Sequence, residues 1–409
     1  QSPGVFAYIS PENRIVFEDA VAYWKGRTIQ DYVVSVLPEE ILELAGDNCT
    51  SFGNRYGEFV FSDICQGHYC TNYRKVINKG WGYIRDEAQQ HMDTMRGRVF
   101  DDDARRFTFW RAIRKIAEGA TLLTRRYAAL VADEALKCTG ERRLELERMA
   151  QSLEWIASMP ARTFWEGCQA ILIYQLMLHA DGQSHAISLG RIDQYCGHFL
   201  DKELADGALT KERAQELTDA FILKLGDYFS VMRVVTHPSG TLATKSKYNY
   251  VCGGQHFTVG GLTPDGRDAT NTLTLMFLQV YLRLYLSDPS ISVRIHKNTP
   301  YEVWEHAIEA SKIAGGMPIF ENDDIIVPCL VERGLSLEDA NDYCIIGCVE
   351  PAGTGCEWPA SGSNGCESFC NLMGILNMAI HNGTNPLTGC AAGLKTGYLY
   401  DYKTFDELK

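Results

Sequence analysis

The sequence predicts an α/β protein organised around a parallel sheet or barrel. Three observations carry this. The first half is dominated by long runs with helical periodicity. The second half alternates short β-branched segments with capped helices. Apolar residues make up 45% of the 409 residues, enough to fill a large core.

Taken in order, Asp102 and Asp103 are candidate N-caps for an amphipathic run through Ala135, and a second run covers Glu141 to Ser158. Ala161 to Leu178 is apolar nearly all round, the mark of a buried helix. Lys211 to Met232 reads as a further helix. The glycine-rich stretch Gly260 to Asp268 matches neither a P-loop nor a dinucleotide fingerprint, so no phosphate cofactor is implied. It reads as a tight turn feeding a helix capped by Asp268. Ser290 to Ile295 is a strand. Thr299-Pro300-Tyr301-Glu302 forms a capping box with Pro at the first helical position, opening a helix that runs to Ala314 and stops at Gly315-Gly316. Met317 to Phe320 is the next strand. Ser336 opens a short helix, and Ile345-Ile346 leads into a turn at Cys348. Strand ends in such folds face the active site.

The net charge of −13 argues against nucleic acid or an anionic membrane surface as partner. No apolar run is long enough to span a bilayer, and Gln1 to Ser10 has neither the charged nor the apolar region of a signal peptide. The chain has 14 cysteines, and many of them (Cys138, Cys168, Cys196, Cys370) sit in apolar or helical contexts. A reducing cytoplasm explains them better than a disulfide framework, and such thiol richness suits life without oxygen. No repeat or linker divides the chain. Residues 1–409 read as one piece of a longer protein, because the start lacks Met and the end falls inside a helix start at Thr404.

The stretch whose residue types best suit chemistry is Asp342-Tyr343-Cys344-Ile345-Ile346-Gly347-Cys348-Val349-Glu350-Pro351. An apolar run delivers Cys348 to a glycine-hinged turn, with a carboxylate two residues on. Three readings stay open: a buried thiol beside a salt-bridged acid, a Cys–His hydrolase, or a reacting sulfur with Glu350 moving a proton beside it. Cys65, His68 and Cys70 lie close together, but no second Cys pair stands at zinc-ribbon distance; the four-residue spacings Cys344/Cys348 and Cys366/Cys370 lack a His pair. No metal site is therefore expected. His185 lies in a polar loop between two helices, where it can act on a substrate or serve as a structural hydrogen-bonding group. His381 ends a helix, where an imidazole can complement the C-terminal dipole.

Gly347-Cys348-Val349-Glu350-Pro351 resembles the thiyl-radical cysteine loop of the glycyl radical enzymes, the pyruvate formate-lyase-like superfamily. Further stretches resemble the family as well: Gly67-His68 with Asn72 to Val76 and Gly80, Pro160 to Phe164, Gly190 to Tyr195, Val259 to Asn271, and Phe320 to Asp324. The resemblance implies a barrel of two antiparallel half-barrels of parallel strands in a helical shell, only part of it within this chain. It implies a cysteine loop threaded into the barrel and no permanently bound cofactor. The glycyl radical is installed by an S-adenosylmethionine iron–sulfur activating enzyme, takes hydrogen from the cysteine, and the thiyl then takes hydrogen from a small-molecule substrate. Ile345 and Ile346 would shield such a thiyl from water. A homodimer, with or without a small accessory subunit, in the cytoplasm or a microcompartment, follows from the same resemblance. The family's Arg-Val-X-Gly-aromatic radical signature is not found near Lys409, so this chain by itself is expected to give no turnover.

Branch assignment rests on the neighbours of Cys348. A paired cysteine as in pyruvate formate-lyase is absent, since Gly347 and Val349 flank the thiol, and Glu350 speaks against the succinate-adding branch. The loop from Gly355 to Gly362 has no aspartate like that of the diol dehydratases, and Ser363 to Gly365 has no tyrosine like that of the choline and hydroxyproline branches. The spacing of Cys348, Glu350 and His381 resembles the arylacetate decarboxylases, typified by the 4-hydroxyphenylacetate enzyme. There Phe59 and Ile64 would contact the ring, Ser188 would hold the carboxylate and His381 would tune a partner beyond residue 409. His68 stands where that branch has an arginine. The expected reaction is thus decarboxylation of an arylacetate. The alternative is dehydration of a diol or of a hydroxyproline-like substrate, with His68 protonating the leaving hydroxyl. A second alternative is a non-catalytic chain with a structural role.

Overall fold

The computed structural model describes residues 10–27, 29–36, 60–62, 68–97, 102–181, 187–226, 229–231, 250–252, 255–286, 288–356, 368–370, 372–386 and 393–409, with single positions 38, 389 and 391. Phe59, Ile64 and His185 lie outside these residues, as does most of the loop that follows Gly355. The chain divides into two compact units. The larger comprises residues 67–229 and 252–361, the smaller residues 1–66, 230–251 and 362–409.

Six helices open the larger unit: α1 (Tyr73–Thr94), α2 (Asp102–Leu136), α3 (Gly140–Ile156), α4 (Phe164–Asp181), α5 (Ile192–Ala205) and α6 (Lys211–Gly226). They bear out the helical reading of the first half. The last stops earlier than expected, at Gly226, and a short strand takes up Phe229–Val231. Strand β1 (His256–Gly260), helix α7 (Thr272–Leu284), β2 (Ser290–Ile295), α8 (Tyr301–Ile313) and β3 (Ile319–Asn322) then alternate. The three strands run parallel, with Thr258 opposite Ser292 and Arg294 opposite Glu321. Two further segments extend the sheet beyond β1. Ser188 bridges in parallel to both Cys70 and His256, with Ser188 N donating to Tyr69 O at 2.9 Å and Leu189 N to His256 O at 2.7 Å. Five parallel lines of chain thus lie side by side, in the chain order 70, 188, 256, 290, 319. This is the parallel sheet that the alternation predicts, walled by helices.

Strand periodicity divides the sheet into two unlike faces. Phe257, Val259, Ile291 and Val293 are fully buried on one face. That face packs on the helices, the Phe257 ring lying 5.0 Å from Phe277 of α7. The other face carries Ser188, His256, Thr258, Ser292, Arg294 and Glu321, all buried although polar. Buried polar groups need partners, and a second element supplies them.

Two local expectations change. Thr299 does not cap α8; its hydroxyl accepts instead from His296 N at 2.9 Å, and Pro300 takes the N-cap position. Asp268 does not cap α7, because Asn271 does so in a capping box with Thr274. The Asp268 carboxylate pairs with His296 Nε2 at 3.0 Å. For Thr299 a local turn contact replaces the cap; for Asp268 a tertiary partner, 28 residues away, replaces it.

The smaller unit contains helices Pro11–Trp24, Ile29–Val36 and Leu372–Ala379, and an antiparallel pair, Val60–Ser62 with Ser368–Cys370. No helix among the described residues is long and apolar enough to cross a membrane.

Candidate active site

Helices α9 (Asp323–Arg333) and α10 (Leu337–Asn341) lead into strand β4 (Tyr343–Ile346), which pairs antiparallel with β5 (Glu350–Gly353). Ile346 faces Glu350, so Gly347, Cys348 and Val349 form a three-residue tip. Strand β4 lies on the polar face of the sheet, and that face satisfies its backbone. Arg294 Nη1 donates to Tyr343 O at 2.9 Å, Ile345 N donates to Thr258 Oγ1 at 2.9 Å, and Ser188 Oγ donates to Ile345 O at 2.6 Å. The inward polar residues are therefore the seat of the cysteine hairpin.

The root of the hairpin is held by two fully buried arginines. Arg294 forms a fork on Asp323, with both nitrogens at 2.8 Å, and also reaches the Asn341 carbonyl. Its guanidinium lies 3.7 Å from the Tyr343 ring centroid. Arg191 joins the Leu262 and Gly260 carbonyls to Asp342, which Arg74 contacts from the other side. Planar bidentate geometry of this kind suits arginine and not lysine.

At the tip, His68 Nδ1 and Glu350 Oε1 are 2.8 Å apart, while Val349 N donates to Glu350 Oε2 at 2.8 Å. Burial pushes the Glu350 carboxyl up, but the His68 hydrogen bond, the Val349 N–H and the His68 charge outweigh it and hold the group below the usual range. Glu350 is thus an ionised carboxylate ready to accept a proton. His68 takes a left-handed backbone, φ 52°, which is uncommon for a residue with a side chain and is a strain found where a group must be aimed. Gly347 has φ 57°. A Cβ placed there would fall 2.5 Å from both Glu350 Oε1 and His68 Nδ1, so only glycine admits the pair.

Cys348 is exposed at the tip, whereas Ile345 and Ile346 are fully buried. The apolar approach is present, but the described residues do not cover the thiol as radical chemistry requires. Cys70 differs from it. A hydrogen bond to Cys344 and burial push its thiol well above the ordinary range, which makes it inert.

Of the residues expected from the sequence, the structure brings Cys348, Glu350 and His68 together. Ser188, expected to hold a substrate carboxylate, is fully buried, and its hydroxyl is engaged by Ile345 O and Gly190 N. It clasps the hairpin instead. His381 belongs to the smaller unit, where its Nδ1 donates to Asn377 O at 2.7 Å at the end of helix Leu372–Ala379. That is the helix-end role that the sequence left open for it. Among the described residues no group of His, Cys, Asp or Glu could hold a metal ion. Thr258, Ser292, Arg294 and His256 escape motif reading. The signal for most of them is the polar alternation of His256-Phe257-Thr258 and of Ser290-Ile291-Ser292-Val293-Arg294.

Comparison with known proteins gives this hairpin a context. The family model "Pyruvate formate lyase-like" matches residues 2–409. The isethionate sulfite-lyase of Nitratidesulfovibrio vulgaris is 31% identical over 405 residues, covering 98% of this chain and 48% of that protein. The (2S)-3-sulfopropanediol dehydratase of Klebsiella oxytoca is 28% identical over 403 residues, covering 97% and 46%. Among solved structures, the glycerol-bound B12-independent glycerol dehydratase of Clostridium butyricum matches with a TM-score of 0.81 and 31% identity, covering 98% of this chain and 48% of that one. The chain spans about half the length of the curated relatives it matches. The decarboxylase expectation finds less support. The indoleacetate decarboxylase of Tractidigestivibacter scatoligenes is 27% identical over 381 residues, 41% of its length.

Proposed function

Because the chain belongs to the pyruvate formate lyase-like family, we propose that in its full-length form it is a glycyl radical lyase that eliminates water from a vicinal diol or a related hydroxylated substrate. The observation that carries this reading is the His68–Glu350 pair, 2.8 Å apart at the tip that presents Cys348. The similarity to a sulfopropanediol dehydratase and a glycerol dehydratase supports it over decarboxylation of an arylacetate.

The glycyl radical, installed by a radical S-adenosylmethionine activating enzyme, supplies the hydrogen-atom abstraction that activates the Cys348 thiol. Cys348 Sγ takes a hydrogen atom from the hydroxylated carbon. Glu350 accepts the proton of the hydroxyl on that carbon, and His68 donates a proton to the hydroxyl leaving the neighbouring carbon, which departs as water. Cys348 then returns its hydrogen atom to the product, a carbonyl compound. Each turnover adds one proton at Glu350 and removes one from His68, so the reaction has no net proton change.

The test is an anaerobic assay of the full-length protein with its activating enzyme, offering 1,2-propanediol, glycerol, trans-4-hydroxyproline, isethionate and 4-hydroxyphenylacetate. Dehydration of a hydroxylated substrate is expected. Carbon dioxide release from the arylacetate, with no dehydration, would return the assignment to the decarboxylases. A second reading, release of sulfite from a hydroxyalkyl sulfonate, is favoured by the 31% identity to the sulfite-lyase. His68→Gln separates the two. A leaving sulfite needs no protonated hydroxyl, so that activity should survive the change, whereas dehydration should fall by about 100-fold or more.

A further inference from the structure

We propose that His256 is a further substrate-contacting residue, its Nδ1 accepting a hydrogen bond from a hydroxyl of the substrate at the hairpin tip. The inference deepens the dehydratase reading and rests on it for the hydroxyl.

The first observation is a polar chain behind the ring. His256 Nε2 lies 2.9 Å from Ser292 Oγ, and Ser292 Oγ donates to Glu321 Oε1 at 3.0 Å. The carboxylate oxygen accepts, so the single Ser292 proton points at Glu321. Ser292 must then accept from His256, which places the ring proton on Nε2. Nδ1 is left with a lone pair and can only accept.

The second observation is that this acceptor is orphaned. His256 is fully buried, and its Nδ1 has no hydrogen-bond partner among the described residues. A buried acceptor left unpaired costs stability unless something else satisfies it.

The third is register. Along the polar face, Arg294 stands level with Tyr343 and Thr258 level with Ile345. Strand β4 advances along that face toward the N-terminal end of β1. Two more residues carry the chain past the end of β4 to Gly347 at the tip, and two residues back from Thr258 is His256, on the same face of the sheet. The charge of Glu350 reaches the His256 ring, consistent with this placement. Burial keeps the imidazole neutral, with a pKa near 4, so the acceptor persists at neutral pH.

The residues divide the work. Glu350 and His68 move protons. His256 binds a substrate hydroxyl without titrating, and Ser292 and Glu321 are positioning residues that fix its tautomer.

The experiment uses the full-length, activated protein and 1,2-propanediol and glycerol as probes, with KM, kcat and the glycyl radical signal read for each variant. His256→Phe removes the acceptor and should raise KM by about tenfold to 100-fold at unchanged radical content. His256→Asn sets an amide oxygen near the Nδ1 position and should recover most of that loss. Wild-type KM in His256→Phe, or an equal loss in His256→Asn, would overturn the proposal. If His256→Phe carries no radical, Ser292→Ala and Glu321→Gln decide, since a raised KM with full radical content supports the tautomer argument and an unchanged KM overturns it. Wild-type protein that turns over no hydroxylated substrate would remove the dehydratase reading and this inference together. An active wild type with a silent His256→Phe removes the inference alone.

Discussion

The His68 imidazole and the Glu350 carboxylate meet 2.8 Å apart over the α-carbon of Gly347. The three residues come from two distant parts of the sequence, and the contact exists because Gly347 lacks a Cβ. Neither polar group can be displaced without parting it from the other.

Gly347→Ala should therefore behave as an active-site mutation although it alters no reactive group. The added methyl clashes with both polar side chains, and its left-handed backbone is strained as well. Turnover by the full-length, activated protein is expected to fall by about 100-fold or more, the usual range for lost acid–base catalysis. The glycyl radical signal should be retained. Near-wild-type turnover would show that the pair does not need this spacing.

Ser188→Ala distinguishes a clasp from a substrate ligand. Removing the hydroxyl leaves Ile345 O without its 2.6 Å donor, inside a buried site. A stability loss of about 1–3 kcal/mol is expected, measured by denaturant midpoint, and KM should hold. A rise in KM at unchanged stability would restore the ligand role.

Breaking the buried Arg294–Asp323 fork should be more costly. Arg294→Met strands a carboxylate that is fully buried, and a loss of about 3–5 kcal/mol is expected. Lysine should not rescue it, because one ammonium cannot reach Asp323, Tyr343 O and Asn341 O together. Full rescue by lysine would contradict the fork as the anchor of the hairpin.

The buried His256 predicts a pH-dependent term in stability. Its folded pKa lies near 4, below the ordinary 6.5. Between these values the unfolded chain binds a proton that the folded protein refuses. Stability is therefore fully present above about pH 6.5 and falls as the pH drops toward 4. The term amounts to about 3 kcal/mol at most. Denaturant midpoints of wild type and His256→Asn should converge across this window, since asparagine does not titrate. Parallel curves would mean that His256 takes up its proton normally.

Much of this architecture is legible in the sequence. Ser290–Ile295 and the short strand near Ile319 follow from β-branched runs between capped helices, and the Cys348 turn follows from a glycine at the end of an apolar strand. The polar face of the sheet is not legible in the same way. An alternation such as Ser-Ile-Ser-Val-Arg reads as a strand with one wet side, but here the polar side is dry and serves the backbone of β4. Only knowledge of what crosses that face turns Ser188, Thr258 and Arg294 into anchors. The misplaced cap at Asp268 has the same origin: it has the right chemistry for a cap, but His296, 28 residues away in sequence, claims its carboxylate. His68 shows what resemblance adds, since nothing in its own neighbourhood foretells a carboxylate 282 residues away.

Cys348 as the hydrogen-atom relay is the central claim, and its most direct measurement compares wild type with Cys348→Ala. Both full-length proteins are activated anaerobically, the glycyl radical is quantified by electron paramagnetic resonance, and 1,2-propanediol or the best substrate of the panel is added. Equal radical content in both, with eliminated product from wild type alone, is the predicted result. Product from the Cys348→Ala protein at a comparable rate would contradict it, because the radical would then be reaching the substrate without the thiol.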